Sequence, residues 1–408
     1  MSPAVPSRPA TVADAIAALG AGPLTEERIV RHIHPLFSRV LARKEIYLAN
    51  HSLGRPLDRM AEDVCEALDA WYADMDEAWG AWMAEIDAFR ERTSRLIGCG
   101  RADAVVPKTS AGQGLRAVLN ALPMERPRVV ATRGEFDSMD FILKVYAERG
   151  RAAVRWVEAD GDGMFHAADV CREIERGADL VVVSHVVFAT GQIVAGVERM
   201  AECAHRHGAL MLLDCYHSAG VIPIGFDRLG VDFAVGGSYK YLRGGPGACW
   251  VAVAPGHLDA GKLRTLDTGW FAKRDTFSYR RPERPEWKDG GDAWVESTPP
   301  ILTAYQARAG QELVLGIGVE RLRAYSLEQQ GFLIEVLRRH GVAMREMAER
   351  GAFILVPAED ASGVCERLKG AGVNVDARGG CVRVCPDILN TREELERAAG
   401  IMARVMRG

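Results

Sequence analysis

A chain of 408 residues is long enough to form two domains around substantial cores. The net charge of −4 gives no electrostatic reason to expect a nucleic acid or an anionic membrane as partner, and no apolar run approaches a membrane span. The nine cysteines are scattered without a CxxC pair, which argues against a zinc site and favours reduced thiols in a cytoplasm. Residues 1–8 lack the basic and apolar regions of a signal peptide, so we expect a cytoplasmic protein without a metal ion.

The N-terminal quarter is predicted to be mostly helical. Residues 12–19 form a short helix, and residues 46–49 form a strand that is closed by the turn 50–56. From residue 57 to about 96 the spacing is helical, and five large aromatic residues recur within it: Trp71, Tyr72, Trp79, Trp82 and Phe89. Aromatic residues at this spacing are typical of a core, and the alternative is that one of them lines a pocket for an aromatic substrate.

Strands and helices then alternate over the middle of the chain. The predicted strands are 104–107, 128–132, 153–157, 180–185 and 210–214, and the helices between them are 113–122, 137–149, 167–176 and 197–207. Continuous Val/Leu runs alternating with helices predict an α/β fold with a mostly parallel sheet, buried by helices on both faces. Ligands bind at the carboxyl ends of such strands, and several candidate residues directly follow them: Thr109, Ser110, Phe136, His185, Asp214 and His217.

The turn around Thr109 and Ser110 joins a strand to a helix and ends in Gly112. Free backbone N–H groups and the helix dipole at such a turn favour a phosphate. For this turn alone, an ordinary Ser/Thr helix cap is an equally good interpretation.

Lys240 lies in the run GGSYKYLRGGPG, residues 236–247, between the apolar segments 231–235 and 248–253. A lysine among such small residues can point into a cavity, where its amine can form a Schiff base with a carbonyl cofactor. Taken alone, the run fits an exposed loop lysine better. Asp214 changes that balance, because a carboxylate after a neighbouring strand suits the ring nitrogen of a pyridoxal cofactor; its alternative role is a turn or helix cap.

The C-terminal part has a different pattern. A long loop over residues 264–300 is followed by predicted helices 306–315 and 318–339, strands 352–356, 373–375 and 381–384, and a closing helix 391–407. We predict a large domain, 46–305, a smaller α+β domain, 306–408, and a segment, 1–45, that packs with the smaller domain. Arg383 lies on an otherwise apolar strand, where its guanidinium needs an anion: a substrate carboxylate or a structural salt bridge.

Seven motifs together resemble kynureninase, within class V of the fold type I pyridoxal phosphate enzymes. They are YLANHSLGRP (47–56), SHVVFATGQ (184–192), DCYH (214–217), SYKYLRGGPGA (238–248), TGWFA (268–272), ESTPPIL (296–302) and RVCPDILNT (383–391). The likeness extends from about residue 46 to the end of the chain. It implies the fold type I architecture, pyridoxal 5′-phosphate as cofactor, and a homodimer whose active sites are shared between subunits.

The resemblance also implies roles for individual residues. Lys240 binds the cofactor covalently, Asp214 pairs with its ring nitrogen beside His217, and Phe136 stacks on its ring. The implied phosphate-binding residues are Thr109, Ser110, Tyr239, Trp270 and Thr298, of which the last two act across the dimer interface. The implied substrate-binding residues are Arg383 for the α-carboxylate, and Ser52 and Trp82 at the aryl pocket.

The implied reaction is hydrolysis of the Cβ–Cγ bond of L-kynurenine, or of a ring-substituted kynurenine, to anthranilate and L-alanine. Lys240 moves the α-proton and Tyr239 protonates Cβ. Another class V enzyme, such as an aminotransferase, an epimerase or a β-lyase, is the alternative. A desulfurase is disfavoured because no cysteine lies between Cys249 and Cys365, and a pyridoxal-binding regulator is disfavoured because it normally carries a DNA-binding domain.

The chain departs from the kynureninase pattern at five places, one of which is the phosphate turn around Thr109, where the family's asparagine is missing. The run 136–140 lacks the usual proline and has its aspartate one residue late, which leaves the role of Asp140 open. Residues 236–237 are Gly-Gly where Trp-Cys is usual. Arg243 replaces an asparagine, and Asp387 stands where the family has apolar residues.

Overall fold

The structure is a computed structural model that describes residues 11–345, 347 and 349–407. Residues 1–8, on which the expectation of no signal peptide rests, lie outside the described residues. The strands are β1 (Ile46–Tyr47), β2 (Val105–Lys108), β3 (Arg128–Thr132), β4 (Ala153–Val157), β5 (Leu180–Ser184), β6 (Leu210–Asp214), β7 (Phe233–Gly237), β8 (Cys249–Val253), β9 (Ile354–Pro357), β10 (Val373–Asn374), β11 (Asp376–Arg378) and β12 (Cys381–Val384).

The α-helices alternate with these strands through the middle of the chain and dominate its two ends. They are α1 (Val12–Leu19), α2 (Glu26–His32), α3 (Ser38–Leu41), α4 (Arg59–Asp74), α5 (Trp79–Ile97), α6 (Ala111–Leu119), α7 (Asp137–Glu148), α8 (Ala167–Glu175), α9 (Val197–Arg206), α10 (Phe226–Leu229), α11 (Pro255–Ala260), α12 (Ile301–Ile317), α13 (Val319–Arg339), α14 (Ala361–Gly370) and α15 (Arg392–Arg407). Along the described residues, no helix combines the length and the apolar character needed to cross a membrane.

The central sheet has seven strands in the order β2-β8-β7-β6-β5-β3-β4. Only β8 is antiparallel to its neighbours, β2 and β7, so the other six strands run in one direction. Every residue of β5 and of β7 is buried, as expected for apolar strands covered on both faces. The predicted mostly parallel sheet is confirmed, and it brings the residues that follow β2, β3, β5, β6 and β7 to one edge.

The long aromatic stretch forms two helices rather than one. A 3-10 turn, Met75–Ala78, separates α4 from α5, and Met75 adopts a left-handed φ of 50°. Phe89 is 2% exposed and belongs to the core, whereas Trp71 and Tyr72 are 50% and 80% exposed. Phe89 is therefore a core residue, whereas Trp71 and Tyr72, near the end of α4, are not.

The C-terminal part contains an antiparallel sheet of order β11-β12-β9 and the parallel pair β1-β10. Strand β1 comes from the N-terminal side, and its residue Ile46 lies in the same small core as β9, β12 and α15. The apolar side chains of α1 and α2 lie in the larger core. The N-terminal segment also reaches the C-terminal part, since His34 Nε2 lies 3.1 Å from the carbonyl oxygen of Ile388.

Candidate active site

A cavity with an empty volume of about 710 Å3 opens at the carboxyl ends of the sheet. Seven of the residues predicted from the sequence line it: Thr109, Ser110, Phe136, Asp214, His217, Tyr239 and Lys240. They come from the turns after β2, β3, β6 and β7, which the parallel topology places side by side. The structure therefore brings together the residues that the sequence scatters over more than a hundred positions.

Lys240 is 4% exposed, and its Nζ lies 2.5 Å from Nε2 of His217. Three aromatic rings surround the amine, with centroids at 5.5 Å for Phe136, 5.0 Å for Tyr216 and 5.7 Å for Tyr239. Burial lowers the pKa of Lys240 to about 7, although the negative charge of Asp214 opposes that shift. A substantial share of the amine is therefore uncharged near neutral pH, which is the form that attacks a carbonyl carbon.

Asp214 ends β6 and is 5% exposed. Its Oδ1 accepts a hydrogen bond of 2.8 Å from the N–H of Tyr216, and no described residue forms a salt bridge with it. Burial raises the pKa of Asp214 to about 6, against the lowering effect of that hydrogen bond and of Lys240. A buried carboxylate with this shift is stabilised by a cation in the cavity, such as a protonated ring nitrogen.

His217 is neutral in this environment. Burial, followed by the charge of Lys240, lowers its pKa well below the usual value. Its Nδ1 is buried and has no hydrogen-bond partner among the described residues, while Nε2 faces Lys240. A neutral imidazole with an unused nitrogen in a ligand-sized cavity fits a residue that hydrogen-bonds a bound cofactor or substrate.

The N-terminus of α6 opens into the cavity. The Oγ of Ser110 accepts a 3.0 Å hydrogen bond from the N–H of Gln113, so the helix-cap interpretation of this turn is correct. Thr109 donates from its backbone N–H and its hydroxyl to Oε1 of Gln113, at 2.7 and 3.1 Å. Both residues also line the cavity, so the cap leaves the expected phosphate position available.

The departure at Gly236 and Gly237 has a steric reason. A Cβ at residue 237 would lie 2.2 Å from the hydroxyl oxygen of Tyr216, and one at residue 236 would lie 2.3 Å from the indole of Trp250. Tyr216 and Trp250 thus fill the space above the two glycines. Tyr216 lines the cavity and was missed by the sequence analysis, because its contact with residue 237 joins two neighbouring strands.

Arg383 is 3% exposed and forms a two-point salt bridge with Asp376, from Nε at 2.7 Å and from a terminal nitrogen at 2.5 Å. The structural salt bridge left open by the sequence is therefore present. The other terminal nitrogen donates to the carbonyl oxygen of Phe188, a residue that lines the cavity. Ser52 lies beside this pair and donates to Asp376. Neither Arg383 nor Ser52 lines the cavity itself, and Arg383 contacts it through Phe188.

Three predicted residues lie elsewhere in this chain. The indole N–H of Trp270 donates to the hydroxyl of Thr298 at 3.0 Å, and Trp270 packs edge-on against Trp79. Trp82 packs edge-on against Trp79 and donates to the carbonyl oxygen of Ala67. None of these three is among the described residues that line the Lys240 cavity, and their roles stay predictions.

The buried lysine, the buried carboxylate and the helix N-terminus meet on a mostly parallel sheet, which is the arrangement of a class of pyridoxal enzymes. The chain matches the aminotransferase class-V family over residues 66–396 and belongs to it. The cofactor is pyridoxal phosphate, and the cavity fits it: Lys240 offers the amine, Asp214 offers the carboxylate for the ring nitrogen, and the α6 N-terminus offers backbone donors.

Two proteins that are similar to this chain are kynureninases. A kynureninase from Bacillus thuringiensis subsp. konkukian is 26% identical over 386 residues, which is 89% of this chain and 88% of that protein. A kynureninase from Geobacillus thermodenitrificans is 30% identical over 257 residues, 60% of this chain and 59% of that protein. The resemblance to kynureninase is therefore confirmed at low identity.

Solved structures confirm the fold. The apo cysteine desulfurase from Thermococcus onnurineus has a TM-score of 0.78 at 20% identity, covering 90% of this chain and 96% of its own. A mutant of C-DES with glycine covalently linked to its PLP cofactor has a TM-score of 0.81 at 18% identity, covering 90% and 98%. The chain has the fold type I architecture of these enzymes.

Proposed function

We propose that the protein hydrolyses the Cβ–Cγ bond of L-kynurenine, or of a ring-substituted kynurenine, to anthranilate and L-alanine in the cytoplasm. The observation that carries the proposal is the similarity to kynureninase over 89% of the chain. Bound pyridoxal phosphate supplies the electron sink that this cleavage needs. The residues of the cavity supply the proton transfers and the orientation of the substrate.

Lys240 is placed to take the α-proton of the substrate, because a substantial share of its buried amine is uncharged near neutral pH. Water adds to the ketone carbon Cγ, the Cβ–Cγ bond breaks, and its electron pair stays with Cβ until a proton arrives. Burial raises the pKa of Tyr239, so its phenol keeps its proton at neutral pH. Tyr239 follows Ser238 in the same turn as Lys240 and lines the same cavity, and it is our candidate donor to Cβ.

A cysteine-based reaction fits the cavity less well. Cys249 is a cysteine that lines it, and its Sγ lies 3.4 Å from the hydroxyl oxygen of Tyr216. Burial raises the pKa of this thiol to about 11, so it is protonated at neutral pH and a poor nucleophile. This argues against Cys249 as the nucleophile of a desulfurase.

In the test, the purified protein is loaded with pyridoxal phosphate and mixed with L-kynurenine or with 3-hydroxykynurenine. Formation of the product is followed by its fluorescence. We expect anthranilate or its hydroxylated counterpart, together with an equal amount of alanine. The control is Lys240→Ala, which should abolish both turnover and the Schiff-base absorbance. A change in the cofactor spectrum without release of an anthranilate would overturn the proposed substrate and favour another class V reaction.

We also propose a homodimer in which Trp270 and Thr298 complete the phosphate site of the second copy. Trp270 and Thr298 are hydrogen-bonded to each other near the exposed Phe277 and Tyr279, away from the cavity of their own chain. In a mixture of Lys240→Ala and Trp270→Ala protomers, mixed dimers contain one intact site, so about a quarter of wild-type activity should return. Two inactive variants that stay inactive when mixed would contradict a shared site.

A further inference from the structure

The structure assigns a role to Asp376, a residue that neither the motifs nor the comparisons single out. Strands β11 and β12 form a hairpin whose two-residue turn is Gly379-Gly380. Both glycines have positive φ, 54° and 76°, which is the backbone that a tight two-residue hairpin requires. The turn fixes the register, and in that register Asp376 lies directly opposite Arg383.

The carboxylate of Asp376 is fully used by its neighbours. Oδ1 accepts from Nε2 of His51 at 2.7 Å and from Nε of Arg383 at 2.7 Å. Oδ2 accepts from a terminal nitrogen of Arg383 at 2.5 Å and from the hydroxyl of Ser52. A single side chain thereby connects the turn after β1 with the strand that carries Arg383.

The charges in this cluster remain separated at physiological pH. Burial favours a neutral Asp376, but hydrogen bonds from His51 and Arg383 outweigh it and hold its pKa far below the usual range. Burial lowers the pKa of His51 to about 4, so His51 donates as a neutral imidazole. Asp376 is therefore an anion and Arg383 its one cationic partner in the cluster.

The donors of Arg383 can be counted. A guanidinium has five N–H groups, of which Asp376 takes one from Nε and one from a terminal nitrogen, and Phe188 takes one from the other. The terminal nitrogen that binds Asp376 also donates a long, 3.5 Å hydrogen bond to Ser52 Oγ, which a carboxylate can replace, and the nitrogen that binds Phe188 has one further N–H with no acceptor among the described residues. Two N–H groups on adjacent nitrogens match the two oxygens of a carboxylate.

We propose that Asp376 is a positioning residue for substrate: it holds Arg383 along one edge, so that the remaining N–H groups of its two terminal nitrogens are set for the α-carboxylate. This inference rests on the proposed role of Arg383 in binding the substrate carboxylate. It predicts that Asp376 contributes to affinity for amino acids and not to affinity for amines, because only the carboxylate meets Arg383.

The experiment compares L-alanine with ethylamine, which is the same molecule without its carboxylate. Each is titrated into the pyridoxal phosphate-loaded protein and followed by the absorbance of the cofactor. We expect Asp376→Ala to weaken L-alanine binding by about tenfold or more and to change ethylamine binding by less than about twofold. Asp376→Asn keeps one acceptor oxygen and should lie in between. Glu359→Gln removes an exposed charge from the same part of the chain and serves as the matched control.

Three other outcomes would contradict the proposal or the role of Arg383 on which it rests. Tighter L-alanine binding in Asp376→Ala would mean that Asp376 competes with the substrate for Arg383, and it would overturn the proposal. Equal weakening of both ligands would mean a general structural role and would also overturn it. In Arg383→Ala, an unchanged preference for L-alanine over ethylamine would refute the role of Arg383 itself. Neither readout depends on cleavage of kynurenine, so failure of the proposed reaction remains a separate result.

Discussion

Two aspartates on either side of Arg383 both bind arginine, but Asp387 is buried and Asp376 is only half-buried. Asp387 accepts hydrogen bonds from Arg55 at 2.5 Å and from Arg243 at 2.7 Å, one on each carboxylate oxygen. Asp376 binds Arg383, and 20% of its side chain is exposed. The side chains at the Asp387 cluster are all 10% exposed or less.

The Asp387 cluster joins three turns that carry the candidate site. Arg55 ends the turn that contains Ser52, Arg243 follows Lys240 by three residues, and Asp387 follows Arg383 by four. Burial favours protonation of Asp387, but the charges of Arg55 and Arg243 outweigh it and lower its pKa. All the side chains of this cluster bind one another, whereas in the role proposed above Arg383 also binds the substrate carboxylate.

The cluster also explains two departures from the kynureninase pattern together. Arg243 and Asp387 are both unusual for that family, and in the structure they form a salt bridge with each other. An arginine buried without Asp387, or an aspartate buried without Arg243, would leave a charge poorly compensated. Each of the two departures therefore compensates the charge of the other. Neither residue lines the Lys240 cavity.

Among the changes that test this comparison, Asp387→Ala should have the largest effect on the free energy of unfolding. It leaves Arg55 and Arg243 as two buried guanidiniums around a missing anion, so we expect a loss of about 3–5 kcal/mol in the free energy of unfolding. Asp376→Ala should cost less, because 20% of the Asp376 side chain is already exposed to water. Urea unfolding of both variants gives the comparison. A larger loss in Asp376→Ala than in Asp387→Ala would show that the Asp376 cluster, and not the Asp387 cluster, holds the turns together.

Glu135 provides a third case for comparison, because it is a buried carboxyl group that forms no salt bridge with any described residue. It accepts hydrogen bonds from the hydroxyls of Thr132 and Ser184, both at 2.6 Å. Burial raises its pKa from 4.5 to about 7, with the negative charge of Asp214 acting in the same direction. The unfolded chain thus releases this proton at lower pH than the folded chain does, and the contribution of Glu135 to stability falls as the pH rises from about 4.5 to about 7.

Glu135→Gln removes that titration. Above about pH 7 we expect the variant to be more stable than the wild type by up to about 3 kcal/mol, with little difference near pH 4. The measurement is urea unfolding of the cofactor-free protein across this pH range. If the difference in unfolding free energy between wild type and variant stays constant over this window, Glu135 is ionised in the folded state, as the paired Asp376 and Asp387 are.

Local pattern was enough to predict most of the fold. Strands β3, β4, β6 and β12 have the predicted limits, because continuous apolar runs between charged or glycine-rich turns define buried strands without help from distant residues. The break at Met75 was not predicted, because helical spacing continues across it and a single left-handed residue leaves no pattern.

The site was predictable where chemistry follows a strand end directly, as at Lys240 and Asp214. It was not predictable where the partner lies across the fold. Tyr216 could be inferred only from the pair of glycines that its ring requires at residues 236–237, and Asp376 only from the Gly-Gly turn that sets its register. Both signals depend on steric fit or on strand register, which a single sequence indicates only indirectly.

The smallest effect is the coupling between the two unusual residues. Arg243 has a left-handed φ of 57°, which asparagine tolerates better than arginine, and Arg243→Asn leaves Asp387 paired with Arg55. That single change should therefore cost little, whereas Asp387→Val should cost several times more. In the double variant the removed carboxylate no longer leaves Arg243 unpaired, so the combined loss should be smaller than the sum by about 1–2 kcal/mol. Losses that simply add in urea unfolding would mean that Asp387 is stabilised by Arg55 alone, and the two departures would then be independent.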